Sequence, residues 1–202
     1  MMRDNKPMKR LFPYLFLILF TLQTPSLADD IRDFQIEGMS IGDSLLDYFS
    51  EEEINNKMKL YWKKKYISIL FDNLASFEVY DSVQFTYKTN DKKFKIYSIE
   101  GWLDFAYTIK NCYKKQDEIV KELSSVFKNA NKNIQKDNHA ADKSGESKFA
   151  AVNFDFSSGD GARVICTDWG EKISKEKNWP DKLKVILNSK EFKHFLTYEA
   201  YK

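Results

Sequence analysis

The sequence has few of the residues that most often carry out chemistry, because its 202 residues include only two cysteines and two histidines. A structural zinc site takes about four Cys, His or acidic ligands at short spacing, and no C-x-x-C or H-x-x-x-H motif occurs here. A cysteine paired with His139 or His194 as a nucleophile would need an orienting third group, for which the sequence gives no specific signal. We therefore predict no catalytic, metal-binding or cofactor-binding residues.

One short segment does gather the residue types of a serine hydrolase. The stretch "HAADKSGES" contains His139, Asp142, Ser144 and Ser147. It lacks the strand, G-x-S-x-G turn and helix that present a nucleophilic serine in the α/β-hydrolases. It also lies in a polar region of the chain, so we interpret it as a solvated loop.

The sequence contains no apolar run of about 20 residues, the length that spans a bilayer. Its most apolar stretch, "LFPYLFLILFTL" at residues 11–22, follows a basic segment and precedes the small residues "SLA". This order is typical of a secretory signal peptide. We predict that residues 1–28 are a signal peptide, cleaved between Ala28 and Asp29, and that the exported chain has no transmembrane segment.

The charge of the exported chain gives no reason to expect a nucleic-acid partner. Removing residues 1–28 removes four basic residues and one acid, which leaves 28 Lys+Arg, 29 Asp+Glu and a net charge of −1. Nucleic-acid-binding domains carry a marked basic surplus. The local run "KMKLYWKKKY" at residues 57–66 could contact phosphate or anionic lipid, but we interpret it as a solvated face with interleaved core aromatics.

Residues 29–202 predict a single α+β domain. Alternating apolar residues predict two hairpins and a last strand, at residues 77–88 with 94–105, 149–156 with 162–169, and 183–187. Helical spacing and N-caps predict four helices, over residues 41–49, after a capping box of Ser50 and Glu53, over 108–127, and after Ser189. Residues 64–71 fit either a strand or the end of a helix. We expect an antiparallel sheet of about five strands with helices packed on one face.

Residues 129–148 are the most polar part of the predicted domain. Ile134 is their only large apolar residue. A segment without apolar periodicity or turn-delimited strands is typical of a loop, so we predict a long exposed loop here.

Several motifs together resemble a known group of proteins. They are "IEGMSIGDSLLDYFSEEEI", the helix that carries Cys112, "VICTDW" and "SKEFKHFL". With them the chain resembles a family of small, uncharacterised exported bacterial proteins, which implies export and a shared fold but no particular activity. The segment "IEGMSIGDSLLDYF" is also similar to the opening of small periplasmic domains of the outer-membrane-assembly and β-lactamase-inhibitor type. That resemblance implies a binding function, although the lipid-bearing cysteine of the lipoproteins is missing.

The two cysteines, Cys112 and Cys166, predict a structural disulfide. Thiols of an exported protein meet an oxidising compartment, and the pair leaves no cysteine over. Cys112 lies on the apolar stripe of a predicted helix, and Cys166 lies in a predicted strand. Because one face of that strand must pack against a helix, the two positions can come within reach of each other.

These observations favour a binding function over catalysis. We predict an exported, non-catalytic envelope protein, periplasmic or secreted, that binds a protein or peptide partner, for example at an exposed sheet edge. Trp102 and Trp169 each follow a predicted strand and are our candidates for ligand-facing aromatics. The alternatives are a periplasmic module for a small ligand or glycan, and a hydrolase-type enzyme of unrecognised kind.

Overall fold

The computed structural model describes residues 30–105 and 108–202. The predicted signal peptide and the predicted cleavage site between Ala28 and Asp29 lie outside these residues. The strands run in sequence order as β1 Lys59–Trp62, β2 Tyr66–Asp72, β3 Ser82–Lys88, β4 Ser98–Asp104, β5 Asn131–Asn138, β6 Lys148–Asp155, β7 Gly161–Asp168 and β8 Lys182–Asn188. The α-helices are α1 Glu51–Asn55, α2 Ile109–Val126, α3 Glu171–Lys177 and α4 Lys190–Tyr198, and short 3₁₀ helices cover Ile31–Asp33 and Leu45–Asp47.

The eight described strands form one antiparallel sheet in the order β1-β2-β3-β4-β8-β7-β6-β5. It consists of two four-stranded halves that join where β8 pairs with β4. Helix α2 leads from β4 to the far edge, where β5 begins. The mixed fold and the single antiparallel sheet are as predicted, but the sheet has eight strands where about five were expected.

The alternation that predicted the inner strands is confirmed by their burial. Val83, Phe85 and Tyr87 of β3 are buried, as are Leu183, Val185 and Leu187 of β8. Strand register places Phe85, Ile99 and Leu187 side by side across three adjacent strands. We call the sheet face that carries them the α2 face, because α2 packs there and is tied to β7 on it.

Helices pack on both faces of the sheet, so the expectation of helices on one face was wrong. Tyr66 lies in β2 next to Ile67, and its side chain therefore points to the face opposite Ile67. There its ring meets Phe192 and Phe195 of α4, with centroid separations of 5.0 Å and 4.9 Å. We call this the α4 face. Ser68 and Thr86 are also buried on it and share a hydrogen bond of 2.7 Å.

The helix predicted over residues 41–49 does not form. Gly42 has φ of 100°, a left-handed conformation that an α-helix cannot contain. Its N–H instead donates to Ile96 O at 2.9 Å, which ties this segment to the chain before β4. Only the 3₁₀ turn Leu45–Asp47 remains, although Leu45 is fully buried as its spacing suggested.

The short helix α1 begins as predicted. Ser50 and Glu53 form a reciprocal capping box, in which each side chain accepts from the other residue's backbone N–H. The cap satisfies donors that the first turn of a helix leaves without partners.

The predicted disulfide between Cys112 and Cys166 is present. Both residues are fully buried, and their Cα atoms lie 6.0 Å apart. The bond joins α2 to β7 in the middle of the β5–β8 half of the sheet. Next to it, the buried Gln116 donates from Nε2 to Ala150 O at 2.8 Å and to Val164 O at 3.0 Å. Helix α2 is therefore fixed to two strands by covalent and polar bonds as well as by apolar packing.

The predicted loop over residues 129–148 is largely a strand and a turn. Residues 131–138 form β5, which pairs with β6 along its whole length, from Asn131 opposite Asp155 to Asn138 opposite Lys148. All eight residues of β5 are exposed. The strand is therefore held by its backbone ladder rather than by a buried apolar face, and for that reason its sequence carries no alternation.

Candidate functional site

Strand β5 is the outermost strand on one side of the sheet, and β6 is its neighbour. His139 N donates to Ser147 O at 2.8 Å, which continues the β5–β6 register by one pair. In an antiparallel ladder, residues that exchange hydrogen bonds with the neighbour alternate with residues that point away from it. Lys132, Ile134 and Lys136 therefore direct their N–H and C=O groups outward. We call this row of backbone groups the open edge.

Polar side chains on β5 strengthen its pairing with β6. Asn133 Nδ2 donates to Asp155 Oδ2 at 2.9 Å, and Asn153 Nδ2 donates to Asn133 Oδ1 at 2.8 Å. Asp155 also forms an ion pair with Lys193 of α4, at 2.6 Å. These bonds lie on the α4 face. They link the edge strand to the rest of the fold without covering its outer side.

On the α2 face, β5 forms one wall of a cleft. The volume of the cleft is about 670 Å³, and Tyr113, Gln116 and Asp117 of α2 form the opposite wall. Ile134 and Lys136 point into it from β5. Ile134 is 67% exposed, so the cleft opens along the edge strand. A chain lying on the open edge could insert side chains into the mouth of this cleft.

On the α4 face, Arg163 of β7 extends toward β5. Its Nη2 lies 3.5 Å from Gln135 Oε1, and its guanidinium lies 5.5 Å from the centre of the Phe149 ring. Its Nε is buried and has no hydrogen-bond partner in the described chain. Burial lowers the pKa of Arg163 from its ordinary value, but an arginine remains a cation at any working pH.

Trp169, one of the two predicted ligand-facing residues, belongs to an aromatic cluster at one end of the α4 face. Its ring lies 4.3 Å from His139 and 4.7 Å from Trp179, and His139 is 6.3 Å from Phe149. Burial, followed by the charge of Lys184, lowers the pKa of His139 below its ordinary value, so the imidazole is neutral at pH 7. His139, Phe149 and Trp169 are half-buried, and Trp179 is 38% exposed.

Trp102, the other predicted residue, lies on the same face but is occupied by its neighbours. The ammonium groups of Lys182 and Lys184 lie 4.4 Å and 4.0 Å from the centre of its ring. Its Nε1 donates to Glu100 at 3.1 Å, and Glu100 pairs with Lys184 at 3.3 Å. Because cation–π contacts and this hydrogen bond already satisfy the indole, Trp102 is less available to a ligand than Trp169.

The segment "HAADKSGES" closes the β5–β6 hairpin as a solvent-exposed turn that side-chain hydrogen bonds hold in place. Asp142 accepts four hydrogen bonds, from the N–H and hydroxyl groups of Ser144 and Ser147, at 2.6–3.0 Å. These bonds hold the pKa of Asp142 well below its ordinary value. The buried Ser147 hydroxyl also accepts from Gly170 N at 2.9 Å. His139 Nδ1 accepts from Ala141 N at 3.2 Å, and the described chain shows no hydrogen bond between His139 and the hydroxyl of Ser144 or Ser147.

Neither a metal-ion cluster nor a membrane-spanning helix occurs among the described residues. Within residues 30–105 and 108–202, no three His, Cys, Asp or Glu side chains converge as a metal-ion site would require. In the same part of the chain, no helix has both the length and the apolar character needed to cross a bilayer.

The open edge and Arg163 were both missed by sequence reasoning. Strand β5 has no apolar period, and no signal in its sequence separates it from a loop. Arg163 did carry a signal, because it is one of only two arginines after residue 28, the other being Arg32. An arginine between the apolar residues of an inner strand indicates a specific role for its side chain.

Comparison with models of known families, with curated proteins and with solved structures returns no match to this chain.

Proposed function

We propose that this protein is an exported, non-catalytic binding protein that takes an extended segment of a protein partner as an added strand on β5. The observation that carries the proposal is the open edge of an eight-residue outer strand. In strand addition, main-chain hydrogen bonds give affinity and side-chain pockets give specificity. In this proposal the open edge supplies the main-chain hydrogen bonds, and the cleft beside Ile134 supplies the side-chain pocket.

Other properties of the chain support this function. The predicted signal peptide favours export, and the buried disulfide between Cys112 and Cys166 is consistent with an oxidising compartment. The hydroxyl of Ser147 is engaged by Asp142 and by Gly170 N, which favours a structural role over a nucleophilic one. In the described chain all eight residues of β5 are exposed and no strand pairs with its outer side, so the open edge is available to a partner strand.

The test is site-specific photocrosslinking of the protein in its native envelope. A photoreactive p-benzoylphenylalanine replaces Lys136 on β5 in one variant and Tyr61 on β1 in another. We expect a discrete adduct from position 136 and not from position 61, and its loss when Ile134→Pro is added. Proline removes an outward N–H without breaking the β5–β6 ladder. Equal adducts from both positions, or an adduct that survives the proline, would contradict the proposal.

The aromatic cluster favours a second candidate, the small-ligand or glycan module. Trp169, Trp179 and His139 form a half-exposed surface at the end of the α4 face. The test is titration with soluble fragments of envelope glycan, followed by tryptophan fluorescence. A saturable change that Trp169→Ala abolishes and Ile134→Pro leaves intact would place binding at the cluster and not at the open edge.

A further inference from the structure

The charges on β5 are divided between its two faces. Lys132, Lys136, Ile134 and Asn138 point to the α2 face, because their partners on β6 include the core residues Phe154 and Val152. The strand's single acid, Asp137, is odd-numbered and points to the α4 face. No ion pair in the described chain includes Lys132 or Lys136.

The two lysines are only partly satisfied by their surroundings. Lys132 Nζ donates to the Ser124 hydroxyl of α2 at 3.1 Å, which is a neutral acceptor. Lys136 lines the cleft together with Asp117, but the two do not form an ion pair. The α2 side of the open edge therefore carries two cations about 13 Å apart along the strand, at 3.3 Å per residue.

A second copy of this chain cannot neutralise these lysines by pairing β5 with β5. A two-fold antiparallel pair matches residues that lie on the same face of the sheet. Lys132 and Lys136 could then face each other, themselves, Ile134 or Asn138, depending on register. Asp137 alternates to the other face and is directly opposite neither lysine in these registers. The charge pattern therefore selects against self-association and favours a different partner.

The α4 face of the same edge offers a third cation. Arg163 Nη2 is 3.5 Å from the side-chain oxygen of Gln135, which belongs to the edge strand. A residue on an added strand opposite Gln135 would have its Cβ about 5 Å from that of Gln135. A glutamate at that position would extend over Gln135 toward the guanidinium of Arg163, which forms no ion pair in the described chain.

We propose that the partner segment bound at β5 carries acidic residues on both of its faces. This inference rests on the proposed strand addition. In an antiparallel register, acids opposite Lys136, Gln135 and Lys132 occupy positions j, j+1 and j+4 of the partner segment. The acids at j and j+4 face the two lysines, and the acid at j+1 faces Arg163. This spacing places carboxylates on alternate faces, as the arrangement of cations requires.

The experiment measures the affinity of synthetic nine-residue peptides for the mature, disulfide-bonded protein by fluorescence anisotropy. One peptide carries Glu at positions 3, 4 and 7 in a Thr/Val background. A second has Gln at those positions. A third has Glu at positions 1, 3 and 8, a spacing that can place only one acid opposite Lys136, Gln135 or Lys132 in any register. We expect the first to bind at least about tenfold more tightly than the others at 50 mM salt, and to lose most of this preference at 500 mM salt.

Variants of the protein assign the contacts. We expect Lys132→Gln, Lys136→Gln and Arg163→Gln each to weaken the first peptide about two- to fivefold, as exposed ion pairs do. Lys64→Gln, which changes a lysine in the turn after β1, is the control and should leave the affinity unchanged. The binding of the Gln peptide should respond to none of these substitutions.

The outcomes separate this inference from the function on which it rests. If the Glu and Gln peptides bind equally and Ile134→Pro abolishes both, strand addition stands and the acidic partner is refuted. If the Glu peptide binds and Ile134→Pro has no effect, charge attraction occurs without strand addition, and both proposals fail. Absence of binding by all three peptides also overturns the inference.

Discussion

The two edges of the sheet, β5 and β1, differ in both length and chemistry. Strand β5 has eight exposed residues, of which only Ile134 is apolar. Strand β1 has four residues and exposes 53% of Leu60 and 58% of Tyr61. The more apolar edge is thus the shorter one. On the proposed strand addition, backbone length rather than exposed apolar area distinguishes the edge that accepts a partner strand.

The shorter edge, β1, also has fewer residues with outward-facing backbone groups. Thr89 N donates to Lys65 O, so the alternation of bonds along β2 leaves Lys59 and Tyr61 as the outward residues of β1. The strand then ends in a turn where Lys63 and Lys64 adopt left-handed φ of 47° and 57°. A partner strand would therefore gain fewer hydrogen bonds here than on β5.

Loss of the disulfide should cause the largest loss of unfolding free energy and should affect one half of the sheet more than the other. Cys112→Ser, Cys166→Ser and the double mutant should each lose up to about 4 kcal/mol of unfolding free energy, since either change opens the same loop. Because the bond ties α2 to β7, amide exchange should accelerate more in β5–β7 than in β1–β3. Denaturant unfolding and hydrogen exchange measure both effects, and additive losses from the single mutants would contradict the account.

Proline substitutions on β5 should distinguish its inward from its outward residues. Gln135→Pro removes an N–H that bonds β6 and should cost about 2 kcal/mol more than Ile134→Pro, whose N–H faces solvent. Tyr61→Pro is the matched control on the outward side of β1. Thermal unfolding of the three variants tests the assignment. Equal losses at positions 134 and 135 would mean that the alternation is not as described.

Acid should loosen the turn after β5 before the turn after β1. The pKa of Asp142 is held low in the folded protein by the serine hydrogen bonds. Its contribution is therefore present above the ordinary pKa of an aspartate and lost as pH falls through the folded value. We expect the protection factors of the Ser144 and Ser147 amides, which are exchange rates corrected for the intrinsic effect of pH, to fall below pH 4. Asp142→Asn should remove this pH dependence. The Lys65 amide, bonded to Trp62 O in the β1–β2 turn, should change less.

Apolar side chains at the two edges should matter least for stability. Ile134 is 67% exposed and Leu60 is 53% exposed, so Ile134→Thr and Leu60→Thr should each change the unfolding free energy by less than about 0.5 kcal/mol. Threonine keeps the β-branched shape of Ile134 and introduces one at Leu60, and this shape suits a strand. A larger loss at Leu60 would indicate that β1 is anchored by its side chain rather than by its ladder.

The parts of the fold that could be predicted from sequence are those where burial imposes a pattern. The inner strands β3 and β8 alternate because one face of each packs on α2-face core residues, and Cys112 and Cys166 could be paired because both positions had to be buried. β1 and β5 could not be identified, because an edge strand that buries little needs no alternation. Gly42 misled the helix prediction, since an apolar spacing says nothing about a left-handed φ.

The candidate site was predictable only in part for the same physical reason. Trp102 and Trp169 were predicted as ligand-facing aromatics, which stays a prediction. Trp169 lies half-buried beside other rings, whereas Trp102 is held by Lys182 and Lys184, which the sequence spacing did not reveal. The open edge depends on which strand is outermost and on which of its residues direct their backbone N–H and C=O groups away from the neighbouring strand. Both are properties of the assembled sheet, and neither is encoded in a local motif.

The most direct test of the open edge is amide hydrogen exchange by NMR in the free protein and with the Glu peptide bound. In the free protein we predict slow exchange for the odd-numbered amides of residues 133, 135 and 137, which bond β6, and fast exchange for Lys132, Ile134 and Lys136. On binding, these three amides should become protected while Lys59 and Tyr61 of β1 stay fast. If the amides of Lys132, Ile134 and Lys136 remain fast when the peptide is bound, the partner does not add a strand to β5.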